Sequence, residues 1–367
     1  LYDTLKSWGA VFGEKLGWER ANWFAETGEK PCDIYTFGLP NWHSAVAREH
    51  KAAREAAVLF DQTSFAKYIL TGPDAEQALQ WIAANRVDKP IGTIIYTQML
   101  NDKGGIECDL TCVRTKINEY YITTGTGYAT HDFDWISKNI PSDLSAQLID
   151  VTSSNAVLSL FGPKARDILR VVTLNDVSDN GHPFGSARQI SIAGCPVLAL
   201  RITYVGELGW ELHLPIEYAQ TIYNTLIEAG SPLGLRNAGY RAIETLRLEK
   251  GYRAWSSDIG PDHTPDEAGL GWAVKMKSNI SFKGREAIAI QRAEGIKKIM
   301  ATFTTDSEVI LSGRETIYRN GERCGWLSSA GFGHTIGKFI GMGYVRNDEY
   351  IDPDFVLSGE YLSLIHI

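Results

Sequence analysis

The sequence predicts an α+β protein: two pseudo-repeated α+β modules followed by a small β domain of barrel or jelly-roll-like form. Three observations predict it. A Gly-Pro-x-Ala-x-x-x-Leu signature occurs at residues 72–79 and again at 162–169. A strand-like run precedes each copy (66–71 and 156–161), and a β-rich stretch follows each (92–121 and 187–214). After residue 298 the texture turns to short alternating runs separated by Gly and charged turns. Gly-Pro opens many helices by chance, so it is the matched context on both sides that carries the repeat.

Residues 1–43 are rich in Trp, Gly and Pro with weak periodicity, and read as an irregular segment packed on something else. Residues 44–57 turn helical, with Lys, Arg and Glu interleaved among Ala. After the strand 66–71, Pro73 and Asp74 suit a helix start. Proline lacks only a donor that the first turn leaves unpaired, and an acidic group complements the positive end. That helix runs to about residue 84, and its copy ends near residue 172. A third long helix spans 238–251, closed by Gly251 at the position where a left-handed residue ends a helix. Runs at 299–303, 315–318, 325–327 and 339–345 build the last domain, Asn320-Gly321 being a hairpin signal. The chain therefore divides into 1–43, a tail of a preceding domain or a linker; 44–295, the paired modules; and 296–367, a β domain. The run 362–367 stops without a cap or a polar tail, so that domain reads as truncated.

A chain of 367 residues and 40.7 kDa has room for two or three domains and a sizeable core. Hydrophobic residues at 44% and charged residues at 22% exclude the disordered and coiled-coil classes. Lys plus Arg is 36 against 44 acidic residues, and the net charge of −8 argues against a nucleic-acid partner. No apolar stretch is long enough for a membrane-spanning helix. Five cysteines in so long a chain make no disulfide framework, which points to a reducing compartment: bacterial cytoplasm, or the mitochondrial matrix of a eukaryote. Cys108 and Cys112 share one face of a strand, but zinc needs two more ligands and no neighbouring His/Cys pair supplies them. Two small residues in a reduced interior, with no metal, is the preferred reading.

Three stretches can carry chemistry. In residues 99–111 the Gly104-Gly105 turn permits positive φ or close approach to a ligand, and the strand after it alternates. Ile106, Cys108 and Leu110 face one way; Glu107, Asp109 and Thr111 face the other. An acidic residue there is a candidate base or cation stabiliser, or else part of a solvent-facing strand edge; spacing alone leaves both open. In residues 204–211, Gly206 and Gly209 bracket Glu207 between Tyr204 and Trp210. A carboxylate recognises paired N–H donors because it offers two acceptors in one plane. Arg247, between two Leu near a helix end, either snorkels or holds an anion. His131-Asp132 offers an acid–base pair or, on the preferred reading, helix capping by Asp132. Gly125-Thr126-Gly127 lacks the third glycine of a dinucleotide fingerprint.

Jointly these motifs resemble the folate-binding aminomethyltransferase family, the glycine-cleavage T-protein and its relatives. Within it they are most similar to the C-terminal halves of sarcosine and dimethylglycine dehydrogenases. The resemblance rests on residues 17–24, 96–101, 104–111, 206–211 and 246–251. It implies three lobes in a cloverleaf around a central cavity. It implies that Asp109 is the catalytic carboxylate beside tetrahydrofolate, that Glu207 binds the pteridine, and that Arg247, Tyr204, Tyr96 and Met99 bind around it. The T-protein has two consecutive Asp where this chain has Cys108-Asp109. The implied reaction forms 5,10-methylenetetrahydrofolate from the iminium or formaldehyde product of amine demethylation. FAD would then bind in a missing N-terminal region, so the chain is read as the folate half of a longer enzyme whose partners are tetrahydrofolate, an amine-derived one-carbon donor and an upstream flavin domain. The stretches 264–270 and 355–361 lean towards sarcosine. The rivals are a free-standing aminomethyltransferase or demethylase, and a non-catalytic folate-binding scaffold.

Overall fold

The computed structural model describes residues 1–305 and 309–363. The chain opens with α1 (Tyr2–Ser7), the antiparallel hairpin β1 (Ala10–Lys15) and β2 (Trp18–Phe24), α2 (His43–Glu55) and β3 (Ala57–Asp61). The first module contains β4 (Ala66–Thr71), α3 (Ala75–Ile82), β5 (Ile94–Leu100), β6 (Ile106–Lys116), β7 (Glu119–Thr124) and α4 (Ala129–Asn139). After β8 (Gln147–Asp150) the second module repeats it: β9 (Asn155–Phe161), α5 (Ala165–Val172), β10 (Ala187–Ile192), β11 (Cys195–Leu200), β12 (Gly209–Pro215) and α6 (Ala219–Gly230). β13 (Leu235–Asn237), α7 (Tyr240–Glu249) and α8 (Arg285–Glu294) lead to the last domain. That domain holds β14 (Lys298–Thr305), β15 (Thr316–Arg319), β16 (Glu322–Gly333), β17 (Lys338–Arg346), α9 (Pro353–Leu357) and β18 (Tyr361–Ser363).

The two modules share one strand order, β5-β6-β7-β4 in the first and β10-β11-β12-β9 in the second. They also exchange a strand. β3, which precedes the first module, pairs with β9 of the second; β8, which precedes the second, pairs with β4 of the first. The two Gly-Pro signatures mark these crossings. Gly72 (φ 138°) leaves no room for a side chain, since a Cβ would stand 2.4 Å from the Ser145 carbonyl. Gly162 (φ 131°) is equally close, 2.4 Å, to the Ala56 carbonyl. Those same carbonyls accept bonds from Asp74 N (3.2 Å) and Lys164 N (2.9 Å). Asp74 therefore does not cap α3 with its side chain; its carboxylate binds Ser145 N at 2.8 Å.

Each sheet buries one face under its own helices. Leu79 and Ile82 of α3 and Ile136 of α4 pack with Leu70, Leu110 and Ile122; Ile168 and Leu169 of α5 pack with Ile222 and Leu226 of α6 against Leu158 and Leu212. Burying an aliphatic side chain contributes about 1.5–3 kcal/mol, so these cores dominate the stability. On their other faces the two sheets meet through Val113 and Tyr121 against Ala187 and Leu200. The last domain is the sheet β14-β17-β16-β15-β18, and Asn320 (φ 51°) and Gly321 (φ 85°) make its tight turn.

The opening segment departs from the irregular reading. Residues 10–24 are a paired hairpin with Trp23 fully buried, and a register shift between Val11 and Phe12 breaks the alternation that would have revealed it. Glu49 ties it down, accepting from Phe24 N (2.7 Å) and Gly239 N (2.9 Å). Burial pushes the Glu49 carboxyl up to about 8. The terminal run 364–367 lies outside the described residues. Among the described residues no helix is long and apolar enough to cross a membrane.

Candidate active site

Asp109 lies on the face of β6 that looks away from α3 and α4. The hairpin turn before it is fixed by Asn101, whose Oδ1 accepts from Lys103 N and Gly105 N at 2.9 Å each. Gly105 must be glycine, because a Cβ would fall 1.7 Å from the Pro261 carbonyl. A bulge then shifts the register, so that Asp109 stands opposite Gln98 of β5. Gln98 Nε2 donates to Asp109 Oδ1 at 2.8 Å, and the Tyr96 hydroxyl also bonds the carboxylate. Burial pushes the Asp109 carboxyl up to about 6; Tyr96, Gln98 and the Arg253 charge pull it back, and nearby Asp132 pushes it further up.

Aromatic pairs flank this carboxylate. Tyr96 stacks on Trp272 with ring centroids 5.7 Å apart, and Tyr204 stacks on Tyr252 at 5.8 Å. Tyr204 lies within electrostatic reach of both Asp109 and Arg247, and its hydroxyl donates to the Arg253 carbonyl at 2.8 Å. Asp109, Tyr96, Tyr204 and Arg247 thus form one neighbourhood built from β5, β6, the loop before β12 and the end of α7.

Arg247 neither snorkels nor stands free for an anion. Only 1% exposed, it donates to Asp258 Oδ2 (2.7 Å), the Tyr252 carbonyl (3.0 Å) and Ser329 Oγ (2.8 Å), and pairs with Glu244. It clamps α7 to β16 of the last domain. Glu207 sits at a turn ordered by Thr203 Oγ1, which accepts from Val205, Gly206 and Glu207 N–H groups at 3.0–3.3 Å. Its carboxylate pairs with Arg54 (2.9 Å), which also bonds Glu249 and the Leu246 carbonyl. Glu207 is therefore linked to α7 through Arg54, and its described partner is that arginine, not the Asp109 group.

Met99 is a correction. It points to the opposite face from Asp109, fully buried with Cys108 and Leu110 under α3, because neighbours along a strand alternate. It supports the strand from behind. His131 and Asp132 correct two further readings. Both belong to α4, whose cap position is Tyr128, so Asp132 does not cap it. His131 Nδ1 bonds Asp132 Oδ1 at 2.9 Å, and Thr124 Oγ1 donates to the other oxygen. Cys108, His131 and Asp132 bring donor atoms within 4.8 Å of one another, a grouping that sequence spacing did not reveal. Both Asp132 oxygens already accept hydrogen bonds, so an internal network accounts for the cluster.

Sequence reasoning missed Gln98, Trp272, Tyr252, Arg253, Asp258 and Arg54. Gln98 had one available signal, its place two residues after Tyr96 on the same strand face. The remainder come from loops or from distant elements. Two cavities lie elsewhere; the larger, about 950 Å³, is lined by Trp8, Phe24, Glu26, Arg48 and Arg236, and neither touches Asp109.

With this geometry in place, comparison with known proteins is consistent across the chain. The GCVT N-terminal domain matches residues 1–278, and the glycine cleavage T-protein C-terminal barrel domain matches residues 298–360. Human mitochondrial sarcosine dehydrogenase is 37% identical over 98% of this chain and 44% of its own length, so the chain spans less than half of that relative. An aminomethyltransferase of Halothermothrix orenii is 34% identical over 88% of this chain and 90% of its own. The crystal structure of glycine cleavage system aminomethyltransferase T from Bartonella henselae superposes with a TM-score of 0.81, at 26% identity, over 94% of this chain and 88% of its own. Repeated modules, the C-terminal curled sheet and both domain matches agree: the chain belongs to the glycine cleavage T-protein family, in the branch that resembles the C-terminal part of sarcosine and dimethylglycine dehydrogenases.

Proposed function

We propose that this chain carries out tetrahydrofolate-dependent one-carbon transfer, forming 5,10-methylenetetrahydrofolate from the product of sarcosine (or a related N-methyl amine) demethylation. The flavin and the amine-oxidising site would lie in the part of the relatives that this chain does not span. The observation that carries the reading is the Asp109 carboxyl, hydrogen-bonded by Gln98 and Tyr96 beside stacked aromatic pairs, with burial pushing it up to about 6. The stacked aromatic pairs beside it suit the flat aminopyrimidinone of a pterin, which leaves the carboxylate for the reacting nitrogens. When bound, tetrahydrofolate supplies the nucleophilic nitrogens that take up the one-carbon unit.

The protein's own part is electrostatic and positional. At neutral pH Asp109 is largely ionised, so it can stabilise positive charge beside it and accept one proton as the ring closes. Gln98 and Tyr96 fix the direction of its lone pairs. Arg247 supports this neighbourhood by locking the last domain onto α7.

A second reading, a non-catalytic folate-binding scaffold, draws on one observation: Arg247 and Glu207 spend their charges on Asp258, Glu244 and Arg54. Product formation separates the two. With tetrahydrofolate and formaldehyde, the chain should accelerate methylenetetrahydrofolate formation above the spontaneous rate. Asp109→Asn should lose that acceleration by about 100-fold, the scale of general acid–base catalysis, and keep tetrahydrofolate affinity within a few-fold. Equal rates in both proteins favour the scaffold, and no tetrahydrofolate binding removes both readings.

A further inference from the structure

We propose that the Gln98 side-chain amide is a two-state positioning group for Asp109, donating Nε2–H to the carboxylate and, after a half-turn of the amide, accepting through Oε1 from the carboxylic acid. The inference rests on the reading of Asp109 as the group that takes up a proton. Three features of the fold carry it. Gln98 is fully buried, on a strand whose adjoining residues, Thr97 and Met99, are also fully buried. The β6 bulge sets it directly opposite Asp109, with Nε2 2.8 Å from Oδ1. Its Oε1 is buried and has no hydrogen-bond partner among the described residues.

That orphan oxygen is the informative part. An unsatisfied buried acceptor is costly, and strands usually avoid one. An ionised carboxylate only accepts, so Nε2–H suits it; a protonated carboxyl donates, and then Oε1 is the group it needs. The half-turn exchanges bonds: the Nε2–H bonds to Asp109 Oδ1 and to Tyr96 are given up, and a bond from the carboxylic acid to Oε1, which has no other partner among the described residues, is formed. The proton arrives on Asp109 and leaves again, while the amide itself neither gains nor loses one. The other titratable groups within electrostatic reach of Asp109 are Tyr96 on β5, Cys108 on β6, Asp132 on α4, Tyr204 before β12 and Arg253 after α7. Of these only the two tyrosine hydroxyls can present both a strong donor and a strong acceptor by rotation alone, and the Tyr204 hydroxyl already donates to the Arg253 carbonyl at 2.8 Å.

The test is a carboxyl carbon-13 NMR titration of the aspartate-labelled chain, with Asp109 assigned by its loss in Asp109→Asn, read alongside the Gln98 side-chain amide signal. In the unmodified protein the amide proton and nitrogen shifts should move with the same midpoint as Asp109. In Gln98→Met, which removes a donor that favours the ionised form, the Asp109 midpoint should rise by about one pH unit, roughly tenfold in the ionisation constant. Gln98→Glu, nearly isosteric, should raise it further and split it into two coupled steps. An amide signal that stays fixed while Asp109 titrates overturns the inference, and so does an unmoved Asp109 midpoint in a folded Gln98→Glu or Gln98→Met protein. These signals need no folate. If they behave as stated while no methylene transfer occurs, the amide inference stands and the functional reading falls.

Discussion

Replacing Asp109 by Asn should stabilise the fold, and by an amount that depends on pH in a defined direction. Burial disfavours the charge of the folded carboxyl and pushes it from an ordinary value of 3.8 up to about 6. A raised folded value means that the native state binds the proton more tightly than the unfolded chain. The penalty is therefore absent below the unfolded value, grows as pH rises through the interval, and is complete above the folded value. Two units at about 1.4 kcal/mol each set a ceiling of about 3 kcal/mol near pH 7.5, and partial exposure reduces it to about 1–3 kcal/mol. At about pH 4 less than 1 kcal/mol remains. Asparagine keeps an oxygen for the Gln98 amide and cannot ionise. Urea unfolding of both proteins at the two pH values measures the difference directly. The substituted protein should be more stable near pH 7.5 and almost indistinguishable near pH 4. A loss of stability at neutral pH, or a gain independent of pH, refutes the claim that a desolvated charge sits there.

Three further outcomes follow from named contacts. Arg247→Met should cost about 3–5 kcal/mol, because it strands Asp258, which is 0% exposed, without its cation; Arg247→Met with Asp258→Asn should recover much of that in the same denaturation assay. Gly72→Ala and Gly162→Ala should each lose about 2 kcal/mol or more, similar to one another, since both meet a carbonyl at 2.4 Å with φ in the left-handed half of the map; one tolerant position would break the equivalence of the crossings. His334 is held down to about 4 by burial and by His50 and His43, so it contributes stability above 6.5 that disappears as pH falls towards 4. His334→Gln should flatten that acid limb by about 2 kcal/mol in denaturation profiles, and an unchanged limb contradicts the assignment.

The repeat was legible because Gly-Pro appears where the backbone has no alternative: Gly72 and Gly162 sit against the segment entering the other module. The strand exchange that explains those glycines was not legible, since β3 and β8 pair across long sequence separations. Alternation on β6 correctly divided Cys108 and Leu110 from Asp109, yet could not supply its partner. Counting back from the turn without a bulge places Gln98 opposite Cys108; the register shift moves it to Asp109. Met99 failed for the complementary reason, as the motif that named it carries no information about which face it occupies. Arg247 was visible as unusual, but its cation is neutralised by Asp258 from a loop eleven residues further on, a pairing no helical pattern encodes. Tyr252 and Trp272 also lie outside strands and long helices, where periodicity is silent.

The pH–rate profile of methylene transfer tests the central assignment most directly. Turnover should fall tenfold per pH unit below an apparent value near 6, reporting the Asp109 carboxylate, with a plateau above it. A profile flat from pH 5 to 8, or an acid limb that persists unchanged in Asp109→Asn, would mean that the ionised carboxylate of Asp109 is not the group that carries the chemistry.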